Sequence, residues 1–401
     1  MGAQGDGLAP GPLFAPLTLT GELVRVRREG PRADLVEVLR ASPDRIEPIC
    51  PHFGSCGGCA VQHWSHEPYL YWKTDQIRQA LSRERLETDF APGFAASPGS
   101  RRRLALHVRR GKGGVALGFK ARRSWDLINI DVCPVADPRL VAAFPALRAL
   151  ASPFLEHPKS APTLHVTLTE TGIDVDVTGV ERRSGGLSAD ARMRAARAAQ
   201  SADFARVTLA GEMVFQSRQP MVRFGRAMVG LPAGSFLQAV AAAEDEMAHL
   251  ALEASAGAHR IADLYCGAGA FTFRLAEIAP VLAVDFSAPA IAALKSAIAT
   301  APGLKAVTAE ARDLVRRPVL TSELKKVDVV VFDPPRAGAL EQVGEIGRSN
   351  VAKVVAISCN PATFARDAKV LSVAGFRLDR VHPIDQFLWS PHVELVGVFS
   401  R

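Results

Sequence analysis

The sequence predicts an α/β chain in three parts: a small β module over residues 1–47, a β-rich central domain over 48–233, and a sheet-and-helix domain over 234–401. Three observations predict it. Beyond Gly234, short apolar runs alternate with helical stretches, as in a parallel sheet covered on both faces. Upstream, apolar and polar residues alternate singly, as in strands with one buried face. Four of the six cysteines fall in the central part, which marks it as a unit with its own chemistry.

At 401 residues the chain is long enough for two or three domains. Hydrophobic residues at 48% and charged residues at 22% are globular proportions and exclude wholesale disorder. No window approaches ~18 consecutive apolar residues, which argues against a membrane helix. The start, MGAQGDGLAPGPLF, lacks the basic head and apolar core of a secretory signal. A cytoplasmic location is the expectation, with no membrane partner and no obligate protein partner evident. In a reducing compartment, cysteines read as metal ligands or nucleophiles rather than disulfides. The formal charge of +7 permits a nucleic-acid partner.

The elements follow in order. LTLTGELVRVRRE and ADLVEVLRAS alternate like half-buried strands and predict a compact or partial barrel. Cys50, Cys56 and Cys59 then form C-x5-C-x2-C, and Cys133 supplies a fourth sulfur. Four thiolates suit zinc or an iron–sulfur cluster, and spacing leaves both open. A helix is read over 69–81. Trp64, Tyr69, Tyr71 and Trp72 sit close together although only 6% of the chain is aromatic. From Arg101 to Arg123 there are nine basic residues and no acidic one. Aromatics stack on unpaired bases and arginines bind phosphates, so this segment reads as an RNA surface. A solvated basic face over a local aromatic core is the plainer alternative. Strands over 163–180 and 206–229 complete the central part.

The last part opens with a helix in AVAAAEDEMAHLALEA, followed by strands in RIADLYC, VLAVDF, LKAVTAE, VDVVVFD, KVVAIS and HVELVGVFS. Ligands of such sheets bind beyond the carboxyl ends of the strands. The first strand runs into Gly267-Ala-Gly269, where glycines allow a tight turn and close approach to a ligand. Thr272 stands where a dinucleotide fingerprint has its third glycine. Asp285 ends the second strand, suited to ribose hydroxyls, and Asp313 follows the third, suited to an adenine amino group. Together, Asp263, Tyr265, Gly267, Gly269, Asp285 and Asp313 look like the S-adenosylmethionine site of class I, Rossmann-like methyltransferases.

KVVAIS ends at Cys359, and Asn360-Pro361 reads as the cap and first residue of a helix. A helix N-terminus favours thiolate over thiol. The fourth strand ends in Asp333-Pro334-Pro335-Arg336; arginine, where amino-group methyltransferases place an aromatic, disfavours an exocyclic nitrogen acceptor. His392 and Glu394 are two apart on the last strand, which predicts a shared face. A thiol, a methyl donor and a carboxylate in one pocket fit methylation of uracil C5, a carbon too poorly nucleophilic until a thiolate adds at C6. Cys359 is then the covalent nucleophile, Glu394 the general base, and Asp333 the group that positions the ring.

SFLQ at 235–238, DLYCGAGAF at 263–271, DPPRAG at 333–338, SCNPATFARD at 358–367 and HVE at 392–394 occur in an order that resembles the RNA uracil-C5 methyltransferase family. The resemblance implies the same roles for Cys359 and Glu394, and contact between Gln238 and the cofactor region. It implies a [4Fe–4S] cluster on Cys50, Cys56, Cys59 and Cys133, a feature of the branch acting on rRNA and absent from the tRNA branch. The expected substrate is therefore RNA, 23S rRNA first, with tRNA as the alternative. The N-terminal strands resemble the OB-like TRAM module of that family, and this copy begins abruptly. The chain departs from the family pattern at Val240, Ala270, Asp285, Leu388 and Ser390. A non-catalytic metal-containing RNA-binding protein is the rival reading, opposed by the intact Cys359 and Glu394.

Overall fold

The computed structural model describes residues 1–11, 13–111, 113–181 and 186–401. Strands β1 (Gly7–Ala9), β2 (Leu13–Ala15), β3 (Leu23–Glu29) and β4 (Arg32–Arg40) form a sheet in the order β1-β2-β4-β3. Val24 faces Val38 and Val26 faces Leu35 across β3 and β4. No described pairing joins β1 to β3, so the described strands of the module form an open sheet rather than a closed barrel. It is anchored by Asp6, a buried carboxylate that forms ion pairs with Arg122 at 2.8 Å and Arg123 at 2.7 Å.

Helix α1 (His66–Arg83) extends the predicted 69–81 at both ends and buries Tyr69, Trp72, Ile77 and Leu81. After it, β5 (Asp89–Phe90) and β6 (Phe94–Ala95) run out to the edge of the C-terminal sheet. The central sheet takes β7 (Arg103–Gly111), β8 (Gly114–Lys120), β9 (Leu127–Asn129), β10 (Thr163–Thr169), β11 (Gly172–Thr178), β12 (Arg206–Leu209) and β13 (Glu212–Gln216). Their order is β13-β12-β11-β10-β7-β8-β9. Helices α2 (Pro138–Ala142), α3 (Phe144–Ala151) and α4 (Ala189–Ser201) contribute to its core, with Phe144 and Leu147 packed among Leu104, Leu106, Val166 and Val175. A separate hairpin, β14 (Met221–Phe224) and β15 (Ala227–Gly230), shares its core with the C-terminal domain.

That domain comprises α5 (Ala241–Ala254), β16 (Ile261–Leu264), α6 (Thr272–Leu275), β17 (Val281–Asp285), α7 (Ala288–Ile298), β18 (Val307–Ala311), β19 (Val329–Phe332), α8 (Leu340–Arg348), β20 (Lys353–Ser358), α9 (Pro361–Val373), β21 (Arg377–Asp385) and β22 (Glu394–Ser400). The order is β18-β17-β16-β19-β20-β22-β21-β5, with β6 also on β21. Alternate residues of the inner strands enter two cores: Val329 and Val331 one, Val330 and Phe332 the other. Burial on both faces explains their continuous apolar runs.

The sheet is not all parallel. β16 to β20 are, but β22 runs antiparallel to both β20 and β21. This reversal positions the site. Ser358, ending β20, pairs with Leu395 at the start of β22, so the residues after one strand meet those opening the other.

Candidate active site

A cavity of about 840 Å³ lies beyond the carboxyl ends of β17, β19 and β20, within the ~300–1,000 Å³ usual for ligand pockets. Gln238, Tyr265, Asp285, Asp313, Asp333, Cys359 and Glu394 all line it. The central sheet closes the opposite side with Arg103, Ala105, His165 and Thr167. Tyr265 takes a left-handed backbone (φ 60°) where β16 turns out of the sheet. Such strain in a non-glycine is retained where surrounding structure enforces it.

Four side chains form a continuous hydrogen-bonded chain across the reacting end. Gln238 Nε2 donates to Asp333 Oδ2 at 2.9 Å. Gln386 Nε2 donates both to Gln238 Oε1 at 2.7 Å and to Glu394 Oε2 at 2.9 Å. Its Oε1 accepts from Ala239 N at 3.0 Å, so the amide is fully engaged and its orientation fixed. The Asp-Pro-Pro-Arg turn is tied to α9, where Asn360 Nδ2 and Thr363 Oγ1 donate to the Arg336 carbonyl. Asn360 also caps α9 as predicted, accepting from Ala362 N.

The electrostatics correct one expectation. Cys359 beside a helix N-terminus was expected to favour thiolate; instead burial and the carboxyls of Glu394 and Asp333 push it up to about 11, against the opposing pull of Arg336. Burial also pushes Glu394 and Asp333 above the carboxylate range, and Asp333 adds to the effect on Glu394. Gln386 pulls Glu394 back toward the ionised form. Each of these shifts favours the protonated form of its group.

On the cofactor side, Asp285 Oδ2 accepts from Gly267 N at 2.9 Å and Oδ1 from Ser287 N at 2.7 Å, fixing the loop against β17. Asp263, Gly267 and Gly269 do not line the cavity; they stand behind its wall. Asp263 is fully buried and accepts from Thr272 Oγ1, which explains why threonine occupies the place of a third glycine. A Cβ on Gly269 would lie 2.6 Å from the Phe273 ring, so that glycine serves packing.

Cys50, Cys56, Cys59 and Cys133, all free thiols, line a second cavity of about 210 Å³. Burial and the neighbouring thiols raise Cys59, and Arg101 opposes this. Among the described residues no group of three or more His, Cys, Asp or Glu side chains is placed to hold a metal ion. Arg101, Leu104 and Phe387 form a wall shared with the larger cavity.

Residues 221–401 match the family model described as tRNA (Uracil-5-)-methyltransferase. Over its whole length the chain is 66% identical to an RNA methyltransferase of Caulobacter vibrioides, covering 98% of that protein. It is 33% identical to the 23S rRNA (uracil(1939)-C(5))-methyltransferase RlmD of Alkalilimnicola ehrlichii, over 97% of this chain and 92% of that one. The chain belongs to the RNA uracil-5-methyltransferase family. Its fold agrees with the solved structure of Pyrococcus abyssi tRNA (uracil-54, C5)-methyltransferase in complex with S-adenosyl-L-homocysteine, at a TM-score of 0.75 and 24% identity, covering 100% and 97% of the two chains. As a member of that family it is an S-adenosylmethionine-dependent methyltransferase that acts on RNA.

The structure redistributes other residues read as RNA contacts. Trp64, Tyr69 and Trp72 are buried in one cluster with Leu388, and Tyr69 donates to Asp385. Tyr71 alone of that group is exposed. The arginine run also turns inward. Arg102 pairs with buried Glu244 at 2.7 Å, Arg103 donates to the carbonyls of Leu237 and Ser235, Arg110 to that of Leu155, and Arg122 and Arg123 hold Asp6. Most of these guanidiniums satisfy buried acceptors between the domains. Lys112 lies outside the described residues. His392 precedes β22 and is exposed, whereas Glu394 is buried, so they do not share a strand face.

Sequence reasoning missed Gln386, Phe236, Phe286 and the central-sheet wall, all of which line the cavity. Phe286 carried a signal, because it directly follows Asp285 at a ligand-facing strand end. Gln386 carried none, since its role depends on Ile384 pairing with Glu394, and the strand that carries Ile384 was not predicted from the sequence.

Proposed function

We propose that this methyltransferase modifies C5 of a uridine in 23S rRNA through a covalent adduct to Cys359 resolved by Glu394. One observation carries the mechanism: the antiparallel β22 brings Glu394 to the cavity wall that also presents Cys359 and Asp333. When bound, S-adenosylmethionine supplies an electrophilic sulfonium methyl and a positive charge. The Cys359 thiolate adds to uracil C6, and the displaced C5–C6 π pair moves into an enolate at the C4 carbonyl, which Asp333 is placed to support. C5 of the enolate then takes the methyl group, the C–S pair remaining on the donor sulfur. Glu394 removes the C5 proton, the C5–C6 double bond reforms, and the Cys359 sulfur leaves with its bonding pair.

Gln238, Asp285, Asp313 and Tyr265 are the proposed cofactor contacts, with Asp263, Gly267 and Gly269 shaping the loop behind them. The resemblance to the rRNA branch and the similarity to the 23S rRNA enzyme favour rRNA over tRNA. The resemblance to the rRNA branch implies a [4Fe–4S] cluster rather than zinc, and the four thiols line one cavity. Cys50, Cys56, Cys59 and Cys133 would hold it. The N-terminal sheet, whose sequence resembles the OB-like TRAM module, and the central sheet would hold the RNA. No helix among the described residues is long and apolar enough to cross a membrane. An rRNA substrate places the reaction in the cytoplasm.

The substrate assignment is tested by mapping 5-methyluridine in rRNA and tRNA from a strain lacking the gene. Loss of one 23S site is expected; loss confined to tRNA would overturn it.

A further inference from the structure

Trp125 is 84% exposed, the highest value among the large hydrophobic side chains described, whereas Trp64 and Trp72 are each 7% exposed. It sits in the loop between β8 and β9, and that loop is built to present it. Ala121 N donates to Asp126 O at 2.8 Å, and Ser124 N to Ala121 O at 3.2 Å. The Asp126 amide donates to Ser124 Oγ at 3.0 Å, and Ser124 Oγ to Asp126 Oδ2 at 2.8 Å. Arg123 turns the chain through a left-handed conformation, φ 57°. The loop is closed and polar, with its one large apolar group facing water.

Lys120 Nζ stands 3.8 Å from the centroid of the Trp125 ring. A cation over one face of an indole leaves the other face for a second planar group. The rest of the loop (Arg122, Arg123, Ser124, Asp126) is polar, and with Arg122 and Arg123 paired to Asp6 the cation beside the ring is Lys120. An isolated aromatic beside a cation is the chemistry of base stacking and phosphate contact.

The loop's position fits an RNA path. Gly57 N donates to Lys120 O at 2.9 Å, and Cys56 forms a β-bridge with Ala121, so the platform abuts the cysteine-rich loop. Phe119 lines the cysteine cavity, which shares Arg101, Leu104 and Phe387 with the catalytic one. The catalytic cavity, the cysteine cavity and the Trp125 loop therefore adjoin one another in that order.

We propose that Trp125 is a stacking platform for an unpaired base of the RNA substrate at a nucleotide other than the methylated one, with Lys120 contacting the adjoining phosphate. This rests on the RNA reading above. The test is the Kd of the full-length protein for unmodified 23S rRNA transcript, measured by filter binding across a salt series. Trp125→Ala should raise Kd about tenfold, the order expected for one lost base stack, and Trp125→Phe less than about threefold. Lys120→Gln should lower the slope of log K against log salt by about one. An unchanged Tm confirms that both tryptophan variants fold. Kd values for wild type and Trp125→Ala within about twofold overturn the platform and leave the indole to a protein partner. Methyl transfer to the same transcript tests the functional reading separately: its absence overturns that reading, while a tenfold Kd difference upholds the platform.

Discussion

Gln386 holds the Glu394 carboxylate through a 2.9 Å hydrogen bond while its second amide hydrogen bonds Gln238 at 2.7 Å. Asp333 and Glu394, the two carboxyl groups nearest Cys359 at the reacting end, are thereby joined through two amides in a fixed order. An amide held at its oxygen by Ala239 N cannot flip to present an acceptor to the carboxylate. The relationship makes Gln386 a positioning residue for the base.

Replacing Gln386 by leucine should therefore do more than lower the rate. Its N–H favours ionised Glu394, so removing it raises that carboxyl further and moves the rising limb of the pH–rate profile to higher pH. At neutral pH kcat should fall about 10–100-fold, a part of what general-base catalysis supplies, and recover partly in alkali. An equal loss at every pH would show that Gln386 only braces the fold.

The wild-type enzyme should itself prefer mildly alkaline conditions. The site works when Cys359 and Glu394 have both lost their protons, and both are pushed up, the thiol to about 11. A raised pKa makes the deprotonated form scarce below it, so kcat/KM for RNA should rise from about pH 6 to about pH 9. A flat or falling profile would contradict these electrostatics.

Beneath the site, Lys73 on α1 pairs with Asp385 at the end of β21, and both side chains are 1% exposed. Tyr69 OH donates to the same carboxylate at 2.5 Å, and Asp385 also accepts from Phe387 N. Lys73→Met leaves a buried carboxylate without its cation and should destabilise the fold by about 3 kcal/mol, the low end for a broken buried pair because Tyr69 remains. Denaturant unfolding measures this; a change under about 1 kcal/mol would show the pair to be dispensable.

Gly269 has φ 101° and packs against Phe273, so Gly269→Ala should destabilise through both strain and overlap, by about 1–3 kcal/mol. Cofactor affinity measured at a temperature where the variant is folded should change less than stability. A variant as stable as wild type would return Gly269 to the role of ligand contact.

The groups with distinctive chemistry were legible because they sit where apolar strands stop. Cys359 and Asp333 follow β20 and β19, and Asp285 ends β17, each marked by a charge or thiol after a β-branched run. Direction was not legible. Nothing in HVELVGVFS states that it runs antiparallel, and β21 was overlooked because Arg377, Asp379, Arg380 and Pro383 interrupt its alternation. Composition also could not tell an arginine facing RNA from one facing a buried carbonyl. Arg102 and Arg103 proved to be of the second kind, and the clustered Trp64, Tyr69 and Trp72 a core.

The central claim is that Cys359 bonds covalently to the target uracil and Glu394 releases it. Incubation with 5-fluorouridine-substituted 23S rRNA and S-adenosylmethionine, followed by denaturing electrophoresis, tests it most directly. Fluorine at C5 cannot leave as a proton, so the wild type should accumulate a protein–RNA adduct. Cys359→Ala should form none, and Glu394→Gln should accumulate adduct even on ordinary RNA. An undiminished adduct with Cys359→Ala, or none with wild type, would contradict the mechanism.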